Sequence, residues 1–69
     1  MKRTTANICI LKVFLHDIHA LDCNYVEDLD AFYITNNRDN DDKILYIYLI
    51  WDKVVVAYNK YVDNLLNIQ

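Results

Sequence analysis

Glycine and proline are both absent from the 69 residues. Without glycine, no residue enters the left-handed backbone region freely, which counts against folds built on tight turns, such as β-meanders and small barrels. A glycine-rich phosphate loop is excluded for the same reason. Cysteine occurs only twice, too few for a disulfide framework. Long apolar runs are missing as well. Residues 44–51 are apolar until Asp52-Lys53, and residues 8–15 are broken by Lys12, whereas a membrane-spanning helix needs about 20 apolar residues. The charged start Met1-Lys2-Arg3 leads into no small-residue cleavage site. These features predict a cytoplasmic protein with reduced thiols and no membrane span.

What is present is a 55% apolar, 25% charged chain, which is the composition of a folded domain rather than a disordered one. Residues 1–69 fit a single domain, small enough that its core is marginal. Asn, Ile, Tyr and Lys supply 27 residues. Their codons are AT-rich, which suggests an AT-rich genome, that of a virus, a phage, a low-GC bacterium or a protist; a viral or mobile-element origin suits the function expected below.

Hydrophobic periodicity favours helices. On a helical wheel, Ile44, Ile47, Tyr48, Trp51, Val54, Val55, Tyr58, Tyr61, Val62, Leu65 and Ile68 form one stripe. The polar residues lie opposite, and Asp41 or Asp42 can cap the start. One long helix over 42–67 is the reading. Upstream, residues 6–21 form a second amphipathic stretch capped by Thr4 or Thr5. Residues 24–35 form a third, with Asn24 and Glu27 as a capping box and Asn36-Asn37 ending it. The expected fold class is therefore all-α: two short helices packed on one long C-terminal helix. The competing reading is α+β, because residues 44–58 are rich in strand-favouring Ile, Val, Tyr and Trp. Segments 44–51 and 54–58 would pair as a hairpin, with a helix following. The Asp52-Lys53 turn weighs against it, since two-residue hairpins favour Asn-Gly or Asp-Gly.

No residue set carries catalytic chemistry with any specificity, so the chain reads as a non-enzyme without a cofactor. Cys9, His16, His19 and Cys23 are competent zinc ligands by type, but four of them along about 20 Å of helix cannot share one ion. The same spacing keeps Cys9 and Cys23 from forming a disulfide within that helix. Residues 37–42 echo a calcium loop, yet Asp42 stands where glycine is needed and Tyr48 where glutamate is.

Charge is uneven: residues 17–42 hold eight acids and one base. That argues against direct nucleic-acid binding and allows either an acidic mimic of nucleic acid or contact with a basic protein surface. Six tyrosines and one tryptophan exceed what a small helical core buries, and such residues dominate interfaces. The expected function is that of a small interaction module, a regulator or inhibitor occupying a partner protein's surface. The runner-up is a structural subunit stable only in a larger assembly. The partner-binding residues expected are Leu45, Tyr46, Leu49, Trp51, Val56 and Tyr58, with the acids Asp28, Asp30, Asp39 and Asp41. The apolar 44–58 segment would also support a homodimer.

Overall fold

The computed structural model describes residues 1–38 and 48–67. The order of elements is α1 (Thr5–His19), β1 (Leu21–Val26), a single 3-10 turn (Glu27–Leu29), β2 (Ala31–Asn37), β3 (Tyr48–Ile50) and α2 (Trp51–Asn67). The three strands form one antiparallel sheet in the order β1-β2-β3. The fold is α+β, and the all-α expectation is overturned.

The first predicted helix is present with the expected cap: the Thr4 side chain accepts from the Asn7 backbone N–H at 3.2 Å. Leu11, Phe14 and Leu15, spaced i, i+3, i+4, are its buried residues and face the sheet. The second predicted helix, 24–35, is instead most of the β1–β2 hairpin. Tyr25, Leu29, Phe32 and Tyr33 do recur at helical spacing, but an alternating pattern competes. Cys23 and Tyr25 on β1 and Phe32 and Ile34 on β2 point to one face, with Cys23 opposite Ile34 and Tyr25 opposite Phe32. That face meets the helices: Cys23 and Phe32 are buried among Leu11, Phe14, Leu15, Trp51 and Val54. Leu29, placed on the apolar stripe by the helical reading, is exposed in the turn. The register shifts between Asp22 and Cys23, and nearby the Thr35 hydroxyl donates to the Asp22 carbonyl at 3.1 Å.

The long helix is cut short. Residues 48–50 pair with β2, Tyr48 opposite Tyr33, Leu49 opposite Phe32 and Ile50 opposite Ala31. Among the described residues of the predicted 42–67 helix, those from Trp51 onward are helical. The α+β alternative is right in class, but not in its pairing. The turn argument against Asp52-Lys53 concerned a strand at 54–58, which is helix; the actual partner of residues 48–50 lies upstream in β2.

A meander without glycine requires other residues in left-handed conformation. Ala20, which caps α1, has φ 55°, and Asp30, which closes the hairpin, has φ 48°. Each costs about 1–2 kcal/mol relative to a right-handed residue, offset by bonds that the geometry permits. The Ala20 N–H reaches the Leu15 carbonyl, and the Ala20 carbonyl accepts from the Arg38 N–H at 3.0 Å.

Replacing Ala20 with glycine should relieve this strain without removing a bond. A gain of roughly 0.5–1 kcal/mol is expected, read in thermal melts as a rise of about 2–8 °C. A lowered midpoint would mean that the Ala20 methyl contributes packing worth more than the strain.

Candidate functional site

Three features of the described residues bear on function. The first is a polar knot around Asp30. Its carboxylate accepts from Arg3 Nε and Nη2, both at 2.6 Å, and from the Tyr25 hydroxyl at 2.6 Å. Its backbone carbonyl accepts from the Trp51 N–H at 3.0 Å. The Arg3 guanidinium also lies 5.4 Å from the centre of the Trp51 ring, within cation–π range. The Arg3 and Tyr25 hydrogen bonds hold the Asp30 carboxyl below the usual carboxylate range, and the bond to Asp30 pushes the Tyr25 hydroxyl up. The knot ties the N-terminal segment, the hairpin turn and the start of α2 together. It fastens; it presents no free reactive group.

The second feature is the outer face of the sheet. Both helices pack on the inner face, where the core lies. On the other face, Tyr33 and Tyr48 stand opposite each other with rings 5.3 Å apart. They are 40% and 46% exposed, and Ile50 beside them is 55% exposed. The aromatic pair gains a modest cross-strand contact while leaving apolar surface in solvent.

The third feature is an apolar groove of about 380 Å³ between α1 and α2. Ile10, Val13 and Ile18 form one wall, Tyr58 and Tyr61 the other, and Phe14 lies at the base. The Phe14 ring meets Tyr58 edge-on at 5.5 Å and Tyr61 at 5.4 Å. Cys9 and Asp17 also line it.

Among the described residues, those expected to bind a partner do not form one patch. Trp51 is 1% exposed and stacks on Phe32 at 5.8 Å, so its ring belongs to the core. Leu49 packs partly buried against the same core, as does Tyr58. Val56 is exposed but lies about 200° around α2 from Tyr58. Asp30 is engaged in the knot, while Asp28 is exposed in the hairpin turn. Asp39, Asp41, Leu45 and Tyr46 lie outside the described residues, as does most of the calcium-like segment. Tyr33, Ile50, Ile10, Val13 and Ile18 were not singled out as partner contacts. For the first two, the available signal was the alternation of Phe32 and Ile34 with Tyr33 and Thr35.

The potential zinc ligands are dispersed. His16 faces Asp17 at 2.8 Å and Asp22 at 3.7 Å, and the His19 ring packs on Phe14 at 5.1 Å. Cys23 is buried in β1, Cys9 is exposed, and both are free thiols. Among the described residues no group of three or more His, Cys, Asp or Glu is placed to hold a metal ion. No helix among them is long and apolar enough to cross a membrane.

Two predictions follow from this geometry. Because the Asp30 pKa is depressed on folding, its stabilising effect is complete above the ordinary carboxylate pKa of about 4 and is lost as pH falls through its lowered value. Asp30→Asn should therefore melt below the unmodified protein at pH 7, with the gap closing under more acid conditions. A gap that persists unchanged down to pH 2 would show that the charge is not its source. Separately, burial pushes the Cys23 thiol up to about 11. In dilute native solution a disulfide reagent should titrate one thiol per chain, Cys9, and reach the second only in denaturant. Comparison of the chain with protein-family models, curated proteins and solved structures yields no match.

Proposed function

We propose that the protein is a non-enzymatic interaction module whose outer sheet face docks on a partner protein, in the manner of a small regulator or inhibitor. The single observation that carries this reading is the solvent-facing Tyr33–Tyr48 pair with Ile50. Tyrosine combines a large rigid apolar area with a hydroxyl that can hydrogen-bond, and it is enriched where proteins meet. The exposed acid Asp28 and the net charge of −3 favour a partner whose apolar patch is bordered by basic residues. The alternative of an acidic nucleic-acid mimic draws less support, since Asp30 is bound to Arg3, and Asp22 lies close to Arg38 and His16.

The test compares the unmodified protein with a Tyr33→Ala/Tyr48→Ala double variant as baits for crosslinking capture. Both side chains are substantially exposed, so the variant should keep its circular dichroism spectrum and lose roughly 0.5–1 kcal/mol of stability. A partner bound by the unmodified bait should be depleted at least tenfold on the variant. An identical set of captured proteins on both baits would remove the sheet face from the reading.

A further inference from the structure

The two edges of the sheet are handled differently. The β3 edge is three residues long and runs straight into α2, which leaves little backbone to pair with. The β1 edge spans the six residues Leu21–Val26, and among the described residues no strand lies beyond it. Such an edge offers unpaired N–H and C=O groups to any extended chain, and proteins commonly place lysine or proline there as a deterrent. The β1 sequence holds neither.

The deterrent comes from α1 instead. Cys23 and Tyr25 point to the inner face, under the helices, so Asn24 between them points to the outer face. Lys12 belongs to α1, which packs on the inner face, yet its ammonium donates to the Asn24 side-chain oxygen at 3.2 Å. The lysine stem must therefore pass around the free edge of β1. Lys12 is accordingly half-buried, while Asn24 is exposed. One helical turn on, His16 Nε2 lies 3.7 Å from Asp22 Oδ1, two residues back along β1. Four residues of helix advance about 6 Å and two of strand about 6.6 Å, so the two rungs keep step along the edge. Arg38 ends the row: it donates to the His16 carbonyl, and its Nε lies 4.0 Å from Asp22.

We propose that Lys12 and His16 are an edge guard, a strap from α1 that denies the backbone of β1 to a further strand. An incoming strand has to expel the lysine stem from its packing or bury the ammonium unpaired. A buried, unpaired charge costs more than a new backbone hydrogen bond returns. With β3 short and β1 strapped, contact by strand addition is closed at both edges. The guard acts on the backbone edge, so it stands or falls separately from the reading of the outer face.

The test is hydrogen exchange, by NMR, of the β1 amides that face away from β2, from about 5 to about 500 µM protein. In the unmodified protein their exchange should not depend on concentration. In Lys12→Ala/His16→Ala they should slow by about tenfold or more across that range, as β1 pairs with β1 of a second molecule. Asn24→Lys added to that variant returns a charge to the edge and should restore fast, concentration-independent exchange. Unchanged exchange in the double variant overturns the proposal, as does slowing in the unmodified protein. Slowing that Asn24→Lys fails to reverse overturns it too. If the double variant does not fold, Lys12→Ala alone takes its place with the same expectation.

Discussion

The junction of Trp51 with the hairpin turn is the contact on which the architecture depends. The indole stacks on Phe32 at 5.8 Å and meets Tyr25 edge-on at 5.4 Å. Its backbone N–H is held by Asp30, and Arg3 lies against its ring. One residue thus closes the aromatic core, begins α2 and anchors that helix to the turn. With nine buried apolar residues among those described, the core is small, and a tryptophan supplies an outsized share of its buried area. Removing so large a ring from so small a core falls among the costliest substitutions known, at about 3–5 kcal/mol.

The glycine-free meander shows how such a turn can be built from other residues. Asparagine and aspartate tolerate the left-handed region better than most, because a short polar side chain can bond locally. Asp30 does so: its carboxylate reaches Tyr25 five residues earlier, and Arg3 reaches it in turn. Ala20 has no such side chain, and it is the Ala20–Arg38 and Ala20–Leu15 backbone bonds that hold it. Positive φ without glycine is affordable where the surrounding contacts over-determine the turn.

The start of helix α1 was legible in the sequence, because its cap and its 3-4 spacing of Leu11, Phe14 and Leu15 agree; its end was set two residues late, at Leu21, which opens β1. The hairpin was not. Its apolar residues satisfy both periods over a dozen positions, and Glu27-Asp28-Leu29-Asp30 holds no glycine or asparagine to mark a turn. Residues 48–50 were equally ambiguous, since β3 exists only through hydrogen bonds to β2, a tertiary choice that local pattern does not record. The aromatics were expected to cluster at a partner surface on residues 44–58, whereas the structure divides those it describes between the core and the outer sheet face. Trp51, one of the residues expected at an interface, is buried, while Tyr33 and Tyr48 face solvent. Which tyrosines emerge depends on strand register, and a shift of one residue would exchange the two faces.

The absence of any connecting loop between Ile50 and Trp51 has a mechanical consequence. Seventeen residues of α2 make an arm of about 25 Å whose fulcrum is the buried indole. A rotation of about 10° there would sweep the far end through about 4 Å, and β3 would feel the torque through the peptide bond itself. The helix end and the sheet edge are two ends of one lever, so a load on either is transmitted to the other without a hinge to absorb it.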